Sequence, residues 1–368
     1  MLPDLRPYFS ELIDPRRETK NKLHKLTDIL MIVFCAVLSG IEDWVGMETF
    51  AEEKESWFRQ FLELPNGIPS HDTLSDVIGR LQPGVFAEAF LNWMQSALPC
   101  LAGEQICLDG KTLRGSRMNG KAVHLLSAYA AKAQLVLMQT QVDEKSNEIT
   151  AIPELLSCLN LTGAVVTIDA IGCQKAIAEQ VIQAKADYVL ALKDNHPQLC
   201  DDVRLWLDTQ ANKGSLEVHE TIEKDHGRLE IRQYSLSRDI AWLLQKPEWI
   251  GLQAVGRVVS TRLIGEKSST ECRYYLTSLT DLSRFAETVR GHWAIENSQH
   301  WVLGVQFGED AHRARKDYSP VNLALIRRMA LNVIRHNGPS KYSLRLRKMR
   351  ASINDDYRFE LIFGKSPT

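Results

Sequence analysis

The chain has 368 residues, 44% hydrophobic and 24% charged, with 44 Lys and Arg against 46 Asp and Glu and a formal net charge of −2. At roughly 150 residues per domain this is enough for two or three structural units, and it excludes both extensive disorder and a uniformly basic nucleic-acid coat. Ile29–Leu38 is too short an apolar run for the ~18 residues of a membrane helix, and Met1–Arg6 lacks the pattern of a secretory leader. The 7 cysteines are widely spaced with no C-x-x-C pair, which fits buried thiols in a reducing cytosol and neither a zinc knuckle nor a disulfide framework.

The charge is unevenly spread. Residues 1–100 carry 9 Lys/Arg and 15 Asp/Glu, residues 101–310 carry 22 and 27, and residues 311–368 carry 13 and 4. A positive tail behind an acidic body points to a polyanionic partner, with a solvated helix face as the alternative.

Leu26, Ile29, Leu30, Val33, Val37 and Leu38 follow a 3.6-residue period and predict a helix. A second helical run covers about 47–61. Pro65–Pro69 is a turn cluster, Ser70–Thr73 supplies N-cap residues for a helix through Leu81, and another helix covers about 85–98. These helices suit either a DNA-docking helix-turn-helix or, as their acidity favours, a plain bundle. The texture changes at Gly103. Gln105–Asp109 is a short apolar strand ending in a carboxylate, and 124–131 and 134–142 alternate as two more strands. Residues 149–159 read as a helix, Ala164–Asp169 as a second apolar strand ending in a carboxylate, 174–186 as a helix and Tyr188–Lys193 as a third strand. The order βββαβαβ predicts an α/β mixed sheet covered by helices. Strands at 229–233, 252–264 and 272–279 predict a β-rich insertion at about 200–275. A long helix from about Asp281 through Leu303 follows, then basic helices over about 321–336 and 342–350.

Asp109 and Asp169 sit where apolar strands stop, and strand carboxyl ends open into the functional crevice of an α/β sheet. Two carboxylates close together repel unless a cation neutralises them, and oxygen ligands suit Mg²⁺ or Mn²⁺. Phe285, Val289, His292 and Glu296 share one helical face, so Glu296 continues an apolar stripe. A buried carboxylate must be paired or bind metal; Arg290 and His292 are the salt partners in the structural alternative. The Glu309/Asp310 pair is the rival third ligand, its other role being to pair Arg313 and Arg315. A P-loop would need Gly at 105, where Gln stands, and no D-x-D follows Asp109. H-E-x-x-H and G-x-S-x-G are absent.

These residues resemble bacterial insertion-sequence transposases of the DDE class, in the H-repeat-associated (Rhs-element-associated) family. The resemblance is carried by Asp109-Gly-Lys-Thr-Leu-Arg114, by residues Asp143 to Leu156, by Asp169-Ala-Ile-Gly-Cys-Gln-Lys175 and by His226 to Arg232. Arg290-Gly-His-Trp-Ala-Ile-Glu-Asn297, His300-Trp301, Glu309-Asp310 and Pro69–Thr73 extend it over nearly the whole chain. It implies a ribonuclease-H-like catalytic domain over 101–340 that contains the insertion, a helical transposase-associated domain over 1–100 and a basic C-terminal tail over 341–368. Asp109, Asp169 and Glu296 would be the DDE triad, holding Mg²⁺ with Mn²⁺ as substitute. Related families carry Y-x2-R-x3-E-x6-K around the glutamate, where this chain has Val289, His292, Glu296 and Leu303, and relatives commonly have Asp in place of Gly304.

The implied reaction is cleavage of double-stranded DNA at terminal inverted repeats and joining of the 3′-hydroxyl to target DNA, by a homodimer in the synaptic complex and without a membrane. Lys111, Arg114 and Lys193, just past strand ends, are candidate phosphate contacts. Arg290, His292 and Asn297 flank the glutamate, His226 and Arg228 lie in the insertion, and Arg313 and Arg315 follow. Trp293, Trp301 and Phe307 are expected in the core. A nuclease of the same fold that cuts without joining and an inactive descendant that only binds DNA are the alternatives.

Overall fold

The computed structural model of the chain describes residues 1–20, 22–118, 121–142, 148–225 and 227–364. In chain order come α1 (Arg6–Ser10), α2 (Leu26–Leu38), α3 (Trp44–Glu53), α4 (Glu55–Phe58), α5 (His71–Arg80) and α6 (Pro83–Ala97). Next are β1 (Gln105–Thr112), β2 (His124–Ala130), β3 (Leu135–Val142), α7 (Glu148–Ser157), β4 (Val165–Ile168), α8 (Lys175–Gln183), β5 (Asp187–Leu192) and α9 (Pro197–Asn212). Then follow β6 (Val218–Asp225), β7 (Arg228–Ser237), β8 (Ala254–Ile264), β9 (Lys267–Thr277) and α10 (Leu282–Ala294). A π-helical turn at Ile295–His300 leads to α11 (Trp301–Gln306), α12 (Ser319–Asn337), α13 (Leu344–Ile353) and α14 (Asp355–Phe363). Among the described residues no helix is long and apolar enough to cross a membrane.

The fold is mixed α/β, with a large mixed sheet and many helices. Packing groups the chain into two compact units. One comprises residues 1–100, 110–145 and 296–368; the other comprises 101–109 and 146–295. Strand β1 therefore contributes its first part to one unit and its last three residues to the other.

In the first unit, α2 is buried along its length and, apart from Thr27 and Asp28, apolar, as a central helix must be; Asp28 accepts the N–H of Leu64 at 2.9 Å. Helix α12 packs on it and is itself buried almost throughout. Polar side chains on α12 pay for their burial by bonding backbone. Asn322 Nδ2 donates to the carbonyls of Ile78 and Leu81, both at 2.8 Å. Asn332 accepts from the N–H of Val136 at 3.0 Å and donates to its carbonyl at 2.8 Å. Helix α5 and strand β3 are thereby pinned to one helix.

In the second unit the sheet runs β1-β4-β5-β9-β8-β7-β6. The pairs β1–β4 and β4–β5 are parallel, and the remaining pairs are antiparallel. The β-rich stretch is no separate body: β9 pairs with β5, Val189 opposite Thr277, and the strands simply widen the sheet. Helix α10 covers one face with Leu282, Phe285, Ala286 and Val289 against Val165, Val189, Val258 and Tyr275.

Helix α10 approaches β1 closely at Gly291. A Cβ there would lie 2.1 Å from Gln105 Oε1. Gln105 cannot swing aside cheaply, since it is buried and its Nε2 donates to the Thr288 carbonyl at 2.7 Å and to Thr167 Oγ1 at 3.3 Å. Gly291→Ala should cost about 1–3 kcal/mol, read as a lower urea midpoint at an unchanged m-value.

Candidate active site

Strands β1 and β4 pair in parallel, with Gln105 opposite Val165 and Leu108 opposite Ile168. Asp109 and Asp169 are the next residues, so the two carboxylates sit in the same row at the same end of neighbouring strands. Four buried residues precede each of them, and both aspartates are half-buried. Strand β1 does not stop at its carboxylate as expected but runs on to Thr112. Asp169 turns the chain toward α8 by accepting the N–H of Ile171 on Oδ1 at 3.1 Å.

Glu296 departs from expectation. The long helix is not continuous: α10 ends at Ala294 and the chain enters the π turn. A π turn carries an extra residue and shifts the helical face. Ile295 takes the inward position and is fully buried, while Glu296 is exposed. The stripe through Phe285 and Val289 therefore does not reach Glu296, and burial demands no partner for it.

Among the described residues no three His, Cys, Asp or Glu side chains gather as a metal cage. Within one unit the donor set is the Asp109–Asp169 pair. That pair fits Mg²⁺ chemically, because Mg²⁺ is commonly held by one or two carboxylates and completes its shell with water and phosphate oxygens.

His292 lies on α10 with Nδ1 2.9 Å from Thr167 Oγ1, and Thr167 is a buried β4 residue two before Asp169. Desolvation of its ring, then the charge of Arg273, pushes its pKa down to about 4. His292 is thus held neutral near pH 7, with its ring bonded to β4 through Thr167. Desolvation also takes His300 down to about 3, with Arg328 and Lys111 adding to it. Both groups are depressed below the ordinary 6.5, so their contribution is complete above that pH and is lost as pH falls through it toward the folded values. Lowering pH from about 7.5 to about 5 should cost roughly 2 kcal/mol per histidine, read from urea midpoints.

A family model described as Transposase DDE domain matches residues 102–333, and one described as DDE_Tnp_1-associated matches residues 7–94. "Putative transposase YncI" of Escherichia coli O157:H7 is 37% identical over 98% of this chain and 95% of its own length. "H repeat-associated putative transposase YhhI" of Escherichia coli K12 is 36% identical over 96% of each chain. The chain belongs to the H-repeat-associated DDE transposase family. An "Uncharacterized protein in dhlA 3'region" of Xanthobacter autotrophicus is 49% identical over 76% of this chain and 96% of its own.

In this DDE transposase chain the candidate DNA contacts fall into two groups. Arg114, Lys193, Asn297 and Arg313 are exposed. The others are engaged internally. Arg290 makes a two-pronged ion pair with Glu223 on β6, both bonds 2.8 Å. Arg228 pairs with Glu230 at 2.9 Å, and Arg315 Nε donates to the Gly115 carbonyl at 3.0 Å. Lys111 is turned inward to Glu309 at 2.9 Å. His226 and residues 143–147 of the family motif lie outside the described residues.

Glu309 does not pair Arg313 or Arg315 as expected. It is fully buried, with Arg328 at 2.7 Å on one oxygen and Lys111 on the other. Burial works to raise its pKa, but Arg328, Lys111 and Arg327 overcome that and hold it at about 2. This ion cluster escaped sequence reading; its only visible sign was the Glu309-Asp310 pair itself.

The basic tail needs the same correction. Arg327, Arg328, Arg347, Lys348 and Arg358 are buried. Arg347 donates to the carbonyls of Tyr342 at 2.8 Å and Ile334 at 3.1 Å, and Arg358 to that of Ala351 at 2.7 Å. Arg358 also lies 4.0 Å over the Trp57 ring, and Arg350 4.2 Å over that of Tyr357. Much of the positive charge is internal bracing. Trp301, expected in the core, is 56% exposed, whereas Phe307 is buried, with Lys348 Nζ 4.2 Å from its ring centre.

Proposed function

We propose that the chain is a DNA transposase that cuts duplex DNA at the ends of an insertion sequence and joins the freed 3′-hydroxyl to target DNA. The observation that carries this is the row-matched placement of Asp109 and Asp169 at parallel strand ends in a chain of this family. Residues 101–340 would act as the ribonuclease-H-like catalytic region, with residues 1–100 as the associated helical region. Asp109 and Asp169 would hold the cation from the strand ends, and Glu296, exposed on the π turn, would be the third ligand that the family resemblance implies. When bound, Mg²⁺ or Mn²⁺ would supply activation of water and stabilisation of the leaving oxygen. The carboxylates would fix the cation beside the scissile phosphodiester. His292 and Thr167 hold α10 in register with β4. The partners are terminal inverted repeats and target DNA, brought together by a homodimer.

The test is incubation of the full chain with end-labelled duplexes of candidate element ends and Mg²⁺. Cleavage leaving a 3′-hydroxyl, followed by joining to a second duplex, is expected. Nicking without joined product would point to a nuclease, and Mg²⁺-independent binding without cleavage would overturn the reading.

Of the tail residues, Arg345 is exposed while Arg347 is buried. Neutralising Arg313 and Arg345 should reduce the slope of log affinity against log salt by up to about 0.9 each. Arg347→Gln should lower stability and leave the slope unchanged. Anisotropy titrations over a salt series, beside urea melts, check both.

A further inference from the structure

Lys111 is the second residue after Asp109 on β1, and its side chain is only 11% exposed. Its amine donates to Glu309 Oε2 at 2.9 Å and to the His300 carbonyl at 3.1 Å, and stands 3.6 Å from Asp310 Oδ1. His300 ends the π turn that carries Glu296. A π turn interrupts the regular i→i−4 ladder, and two carbonyls of this one take donors from other elements. His300 O receives Lys111, and Ser298 O receives Arg335 of α12. Glu309 is anchored in turn by Arg328 of α12, with both side chains fully buried. A single ammonium group thus ties the strand that continues from Asp109 to the turn that presents Glu296.

We infer that Lys111 is a positioning residue for the carboxylate site, fixing the stance of the Glu296 turn through His300. The inference rests on the reading of Asp109, Asp169 and Glu296 as cation ligands. Two considerations favour geometry over stability as the purpose. Replacing a buried ion pair by well-packed apolar groups is often neutral or stabilising, so this cluster is a poor device for stability alone. Ligands of a working site must also be held within about 0.5 Å of their productive places, and the stance of an exposed carboxylate on an irregular turn depends on the bonds that hold that turn, here those of Lys111 and Arg335. Gly304 fits the same picture. A Cβ there would stand 2.7 Å from Asp310 Oδ2 and 3.4 Å from Lys111 Nζ, so the turn of α11 closes against the amine.

The test titrates the full chain with Mn²⁺ alone, followed by electron paramagnetic resonance, with the urea midpoint measured in parallel. Lys111→Met is expected to weaken Mn²⁺ binding about 10–100-fold, the usual effect of losing a group that orients ligands. A purely structural lysine would lower the midpoint and leave Mn²⁺ affinity alone. Lys111→Gln is one bond shorter and uncharged, so it gives up the reach to the His300 carbonyl; it replaces the Met variant should that one not fold, and is expected to bind Mn²⁺ less tightly than wild type. Wild-type affinity in the folded variant overturns the positioning role. If Asp109→Asn and Asp169→Asn lose Mn²⁺ while the lysine variant does not, only that role falls. If the aspartate variants bind like wild type, or the wild-type chain binds no Mn²⁺, the carboxylate reading falls and takes the inference with it.

Discussion

Asp109→Asn and Asp169→Asn should each lower the rate of DNA cleavage about a thousandfold or more and leave affinity for the same duplex nearly unchanged. The two side chains share a row at the ends of β1 and β4, so either change halves the carboxylate charge at that edge. Loss of several kcal/mol of transition-state stabilisation is the scale for a lost cation ligand, and about 4 kcal/mol corresponds to a thousandfold. Thermal stability should hold, because Asn keeps the shape, and at position 169 it can still accept the Ile171 N–H. Single-turnover cleavage beside anisotropy binding separates the effects. Wild-type nicking by either variant would remove that residue from the site.

Glu309→Gln should destabilise the folded chain by about 3–5 kcal/mol, the range for breaking a buried ion pair from one side. The substitution leaves the buried Arg328 and the largely buried Lys111 facing an uncharged amide. The same residue predicts an acid phase. Its folded pKa is held at about 2, below the ordinary 4.5. Its stabilisation is therefore complete above the ordinary value and is lost as pH falls toward the folded one. Urea midpoints plotted against pH should fall first through the histidine range and again in this lower window. Glu309→Gln should lack the second fall. A variant as stable as wild type would show that Lys111 and Arg328 are satisfied elsewhere.

The part of the site that was legible lies where local pattern and topology agree. Apolar runs ending in Asp109 and Asp169 could be read as strands, and parallel pairing then places their ends together. Glu296 was legible as a motif residue but not in its setting, because periodicity assumes 3.6 residues per turn and the π turn breaks that count. Lys and Arg counts gave the charge of the tail but not its direction. Long stems let Arg328, Arg347 and Arg358 carry their charge inward to carbonyls and carboxylates. Strand β6 went unread because Val218-His-Glu-Thr-Ile-Glu-Lys-Asp225 carries the charges that suit a sheet edge. The division into two units was invisible, since one of them gathers residues 1–100, 110–145 and 296–368. No linker composition marks such a joint.

The burial of α2 against α12 has a consequence in time. During synthesis, α12 leaves the ribosome about 220 residues after α6 is complete. At about 5–20 residues per second, that is roughly 10–45 s in which α2 has its neighbours α1, α3 and α5 but lacks α12. The face of α2 that α12 covers stays open over that interval, and the amino-terminal helices are expected to reach full protease resistance only once α12 has emerged. Limited proteolysis of ribosome-stalled chains ending before and after residue 337 should show protection of α2 appearing only in the longer ones.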